Sequence, residues 1–193
     1  MDISTLLDQA ARKWPDAPAL SDPGRGRRLT FLQLDQALTA FGQALERSGV
    51  GEGERVALLA DAGIDYLIAD YGCMASGRVR VPLDPALSPA ELLAQLRDAG
   101  VALLLFSAQY ADVAAGLAGE GLRCRALEAL THAPGTQLPA RVAPPAQALA
   151  SRHYTGGPTR VPKAAMHRHH SLSPVLQNIA MAIAAVPGDV CHH

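Results

Sequence analysis

Residues 55–60 read RVALLA, residues 79–83 read VRVPL and residues 101–106 read VALLLF. Short runs of this apolar character are strands, and the continuous ones are buried on both faces, as in parallel sheets covered by helices. Helical stretches separate them. Ile64 to Ala75 carries the first, stopped near Gly77. The second opens at Ser88-Pro89-Ala90-Glu91, which supplies an N-cap, a proline at the first helical position and a carboxylate three residues on. Leu92, Leu93, Leu96 and Ala99 form its apolar face and Gly100 ends it. Working outward, Ala108 to Leu117 reads as a further helix and Leu122 to Ala126 as a short strand. Upstream, Thr30 and Gln33 make a capping box ahead of Phe31, Leu34, Leu38, Phe41 and Leu45, an apolar stripe at helical spacing closed by Gly49 and Gly51. Trp14 with Leu6, Leu7 and Ala10 marks an N-terminal helix docked by its apolar side. Strands alternating with helices imply βαβ units, so the expected fold is α/β, a mainly parallel sheet flanked by helices.

The composition narrows the functional classes. Of 193 residues, 49% are hydrophobic, and 17 Lys and Arg stand against 18 Asp and Glu. Disorder along the whole length is excluded, and no surplus of cations is left to neutralise a run of nucleic-acid phosphates. Only 4% of residues are aromatic, so the core must be built mainly from Ala, Leu and Val. Cys73, Cys124 and Cys191 are too far apart for a zinc knuckle or a redox dithiol and read as small hydrophobes. No basic region followed by an apolar stretch opens the chain. The longest apolar run, Ile179 to Val186, is far short of the ~20 residues that span a bilayer. A cytoplasmic location is expected.

Regularity stops between Thr131 and Pro145, where four prolines and a glycine mark a loop. Ala148 to Tyr154 follows as a possible strand, interrupted by Arg152 and His153, and a helical pattern runs from His170 to Ala185 before Pro187-Gly188. Arg78 and Arg80 alternate with Val79 and Val81, and read as a solvated strand face. His167, His169, His170, His192 and His193 lack metal-ligand spacing, so no metal site is expected.

The chemistry concentrates in residues 154–163, YTGGPTRVPK. Small residues let backbone N–H groups approach an anion, Thr155 and Thr159 offer hydroxyl donors, and Lys163 adds a positive charge. The pattern is not the Walker loop, which needs Gly-Lys-Ser/Thr running into a helix. Composition alone favours a surface turn over a nucleotide loop.

The segment nevertheless resembles the signature loop of the adenylate-forming (ANL) superfamily, which includes acyl- and aryl-CoA synthetases, peptide-synthetase adenylation domains and luciferases. That loop reads Tyr-Thr-Ser-Gly-Thr-Thr-Gly-x-Pro-Lys-Gly, matched here by Tyr154, Thr155, Gly157, Thr159, Pro162 and Lys163. His169 aligns with the histidine of the stretch that follows. The likeness continues upstream through Leu29 to Leu34, Gly49 to Ala57, Gly77 to Leu83 and Ser88 to Leu92, in collinear order. The resemblance implies a partial AMP-binding domain over residues 1–193: a core at about 1–130, a loop at 131–147 and the phosphate segment at 148–172. It implies ATP-dependent activation of a carboxylic acid to an acyl-adenylate and transfer to coenzyme A, with ATP, magnesium and coenzyme A serving complete relatives. Thr155, Gly156, Gly157, Thr159, Lys163 and His169 are the implied cofactor-binding residues, and no catalytic residue is implied within the chain.

Three positions depart from the family loop. Gly156 and Pro158 stand where the family has hydroxyls, Pro158 also lacks an N–H, and Arg160 replaces a glycine. A weakened loop is expected. Nothing in the sequence corresponds to the family's adenine-binding motif, ribose-binding Asp, hinge or C-terminal catalytic Lys. The expectation is therefore that this chain alone does not catalyse adenylation. The alternative is a non-catalytic remnant that binds nucleotide weakly or associates through an uncovered apolar face.

Overall fold

The computed structural model describes residues 3–132, 142–155 and 163–182. Helix α1 (Ile3–Lys13) leads into an antiparallel hairpin of β1 (Pro18–Asp22) and β2 (Arg27–Thr30). Then come α2 (Phe31–Arg47), β3 (Arg55–Leu59), α3 (Ile64–Ala75), β4 (Val79–Pro82), α4 (Pro89–Ala99) and β5 (Val101–Phe106). The remainder is α5 (Ala111–Gly119), β6 (Cys124–Ala126), α6 (Glu128–Thr131), β7 (Leu149–Thr155), β8 (Lys163–Arg168) and α7 (His169–Ala182).

Six strands make the main sheet in the order β6-β5-β3-β4-β7-β8. All neighbours run parallel except β7 and β8, which pair antiparallel from Leu149↔Arg168 to Thr155↔Lys163. The expected α/β architecture is thus present, and alternation within β3 shows why. Val56 and Leu58 face one cluster, with Leu34, Leu38 and Phe41 of α2 and Ile64 and Ile68 of α3. Ala57 and Leu59 face the other, with Leu92 and Leu96 of α4 and Leu117 of α5. A strand buried on both faces has no polar side to show, which is why RVALLA reads as one apolar run.

The helix signals act as the sequence implies. Thr30 and Ser88 each accept from the backbone N–H three residues on, and Gln33 and Glu91 reciprocate as complete capping boxes. Gly100 closes α4 in the left-handed region at φ 62°, where any other residue is strained. Gly72 serves closeness instead: a Cβ there would lie 2.5 Å from the Phe41 ring, so α2 and α3 meet at that pair.

Several elements differ from the expectation. The β1–β2 hairpin carries little of the alternating apolar pattern by which strands are read. Residues 163–168 form a strand whose side chains are mostly exposed, so β8 has no hydrophobic signature. The last helix begins at His169 and is described to Ala182, with Pro174 inside it. Its expected stop at Pro187-Gly188 lies outside the described residues, as does Cys191. Cys73 is fully buried, and burial raises its thiol above the usual cysteine range.

Arg78 and Arg80 require a correction. They do not form a solvated face, because β4 lies between β3 and β7 inside the sheet. Arg78 is 9% exposed, and its Nε and Nη2 donate to the Val50 carbonyl at 3.2 and 2.8 Å. Its Nη1 donates to the Ser76 carbonyl at 2.7 Å, so this side chain ties the turn before β3 to the turn before β4. Arg80 pairs with the buried carboxylate of Asp70 on α3. Among the described residues, no helix is long and apolar enough to cross a membrane.

Candidate functional site

Because β7 runs parallel to β4, Thr155 stands at the carboxyl end of the sheet, and the chain re-enters β8 beside it at Lys163. In open α/β sheets that is the end where ligands bind. The Thr155 hydroxyl donates to the Lys163 carbonyl at 3.3 Å, closing the mouth of the hairpin. Both residues are exposed there. A hydroxyl and an ammonium suit phosphate oxygens. The pair gives a divalent cation one hydroxyl and no carboxylate, so the mouth fits phosphate better than a metal ion. Gly156, Gly157 and Thr159, the other implied phosphate ligands, lie outside the described residues, as do Pro158 and Arg160.

His169 is elsewhere. It sits at the far end of β8 from Lys163, roughly 20 Å away at about 3.4 Å per residue, and is 1% exposed. Its backbone N–H donates to the Ala148 carbonyl at 3.1 Å, which anchors the start of α7 under the beginning of β7. Among the described residues, no group of three or more His, Cys, Asp or Glu is placed to hold a metal ion.

Polar side chains on both faces hold β7, and the sequence reading did not anticipate their roles. On the α3 face, Arg80 bridges from Asp70 to His153, with Nη2 3.1 Å from Nε2 of the imidazole. His167 of β8 meets the His153 ring edge-on with centroids 5.6 Å apart. Burial, then the Arg80 charge and then His167 hold the His153 imidazole below the ordinary histidine range, against the opposing pull of Asp70. A neutral Nε2 accepting from the guanidinium satisfies that arrangement.

On the α4 face, the Tyr154 hydroxyl donates to Asp98 Oδ2 at 2.6 Å and lies 3.1 Å from the Gln95 carbonyl. Arg152 Nη2 donates to the same Oδ2 at 2.5 Å, and its guanidinium lies over the Tyr154 ring at 5.4 Å. Burial and the bond to Asp98 push the Tyr154 phenol up to about 12, so it is a donor at any physiological pH. The sequence signal for this cluster is Asp98 itself, an acidic residue in the last turn of a helix.

A cavity of about 520 Å³ lies at the other end of the sheet, between α2 and the 142–145 segment, and includes Glu46, Glu52 and Arg78 in its lining. It borders the turns that precede β3 and β4, away from Thr155 and Lys163.

A family profile described as "AMP-binding enzyme" matches residues 7–193. The chain belongs to the AMP-binding enzymes. It has the adenylate-forming ligase fold, N-terminal portion. Among curated AMP-binding relatives, the 3-hydroxybenzoate–CoA/4-hydroxybenzoate–CoA ligase of Thauera aromatica is 28% identical over 169 residues, covering 76% of this chain and 31% of the ligase. Tyrocidine synthase 3 of Brevibacillus parabrevis is 31% identical over 177 residues, covering 91% of this chain and 3% of the synthase. Among solved structures, the O-succinylbenzoate coenzyme A synthetase of Bacillus subtilis in complex with AMP superposes with a TM-score of 0.83 at 22% identity. That match covers 98% of this chain and 48% of the synthetase, and at such identity it speaks for the fold. The chain spans under a third of the length of these curated relatives and about half of the solved one.

Proposed function

We propose that residues 154–163 bind the phosphates of ATP, and that the protein takes part in AMP-forming activation of a carboxylic acid. The single observation that carries this is the hairpin mouth at the carboxyl end of the sheet, where the Thr155 hydroxyl and Lys163 stand together. Thr155 turns its one hydroxyl proton from the Lys163 carbonyl to a phosphate oxygen, and Lys163 places its charge beside the pyrophosphate that leaves. Stabilising charge on a departing group is electrostatic catalysis. Thr159 adds a second hydroxyl, Gly156 and Gly157 admit the phosphates close to the backbone, and His169 braces the strand behind the loop.

In this reaction the carboxylate attacks the α-phosphorus, pyrophosphate departs, and a thiol such as coenzyme A then takes the acyl group from the adenylate. The domain division follows: a sheet-and-helix core over 1–130, a connecting loop at 131–147 and the phosphate segment at 148–172. The chain spans about half of the solved synthetase, and phosphate binding is the share of the reaction assigned to it. Calorimetric titration with ATP tests the reading. Saturable binding abolished by Lys163→Ala supports it, and heat indistinguishable from dilution refutes it.

A second reading is favoured by one observation. β8 is an edge strand with Met166 66% exposed, and such a strand can accept another polypeptide. Sedimentation of the chain across a hundredfold concentration range separates the two: association without ATP affinity supports the second.

A further inference from the structure

Asp98 occupies the last turn of α4, where its charge opposes the negative end of the helix dipole. The helix gains nothing from a carboxylate there. Its neighbour Arg97 is taken by Glu120 at 2.8 Å, so the partners of Asp98 come from β7, Arg152 at 2.5 Å and the Tyr154 hydroxyl at 2.6 Å. Tyr154 immediately precedes Thr155. The β4–β7 ladder registers through Arg80↔Ser151 alone. Beyond Ser151, then, the end of the β7–β8 hairpin is fastened to the rest of the molecule by side chains of β7, His153 on one face and Arg152 with Tyr154 on the other.

We propose that Asp98 is a positioning residue for the phosphate segment. It fixes the Tyr154 ring, and through it where Thr155 and the Lys163 opposite stand relative to the carboxyl end of the sheet. The consequence for ATP rests on the reading of residues 154–163 given above, whereas the anchoring does not. The role of Asp98 is positioning, because the contacts it makes, Arg152 and Tyr154, are protein donors on β7.

The test uses the full 193-residue chain with Asp98→Asn, Asp98→Glu and Tyr154→Phe. Hydrogen–deuterium exchange is followed in peptides covering residues 149–155, 163–168 and, as reference, 101–106. ATP affinity is measured by calorimetry on the same samples. Asp98→Asn is expected to speed exchange in the two hairpin peptides about fivefold and to weaken ATP binding by a similar factor, in keeping with a half-exposed charged pair. The reference peptide should not change, and Asp98→Glu should restore part of both losses. Unchanged exchange in the hairpin overturns the proposal whether or not ATP binds. Equal acceleration in 101–106 also overturns it, since a general loss of stability would then explain everything. Selective exchange with unaltered ATP affinity removes the role in phosphate binding. A wild-type chain with no ATP affinity, but with hairpin-selective exchange in the variant, discards the phosphate reading and keeps the anchoring of Tyr154.

Discussion

Val56 on β3 and His153 on β7 lie two strands apart in one sheet, yet their surroundings share almost nothing. Val56 is fully buried in a cluster that includes Leu38, Phe41, Ile68 and Leu105. His153 rests on a guanidinium and another imidazole. The interior strands are held by non-directional burial at about 25 cal/mol per Å² of apolar area. The end of the β7–β8 hairpin is held by a few directional contacts from Arg80 and Asp98. The comparison teaches that the part of the sheet bearing the candidate site is its least apolar part, where small changes in charge count more than changes in volume.

The strongest way to break that contrast is Phe41→Ala. Phe41 is fully buried where α2 meets α3, so its truncation should cost about 3–5 kcal/mol in a urea titration. Loss well below this would show that burial does not dominate the interior. Next in size is Asp70→Asn, which strands Arg80 without its counter-charge and should cost about 3 kcal/mol. Replacing the pair together, Asp70→Leu with Arg80→Met, should recover most of that loss while loosening β7, because His153 then has no donor.

A smaller effect follows from protonation. The folded state holds His153 neutral below the ordinary value of about 6.5, so the unfolded chain binds the proton first. Stability from this contact is therefore complete above about pH 6.5 and is lost as pH falls through that value toward the depressed one. The wild-type chain should lose more stability than His153→Gln between pH 7 and pH 5.5 in parallel melts. Identical slopes would remove the Arg80–His153 contact from the account of the hairpin. The smallest pair sharpens the scale: Ser88→Ala, which deletes the α4 cap, should cost about 1 kcal/mol, and Arg97→Ala on the exposed Glu120 pair less than about 0.5 kcal/mol.

The same division decides what was legible in the sequence. RVALLA, VALLLF and both capping boxes were readable because apolar runs and caps act locally and carry their own period. β8 was not, since Lys163 to Arg168 offers exposed side chains and takes its register from β7 alone. Arg80 was misread for a related reason. Alternating Arg and Val looks like a half-solvated strand until Asp70, ten residues back on a helix, is known to lie against it. Thr155 and Lys163 were singled out by their chemistry and by resemblance, and they are register partners at the end of the β7–β8 hairpin. Asp98 could not be found that way, because its partners lie more than fifty residues downstream and meet it only after the sheet has assembled.

The Gly72–Phe41 contact makes those two positions a single choice for evolution. With the ring 2.5 Å from where a Cβ would stand, a side chain can be added at 72 only after the one at 41 shrinks. A library randomised at both positions and selected for folding should return survivors that trade volume, large with small or small with large, and rarely two of a kind.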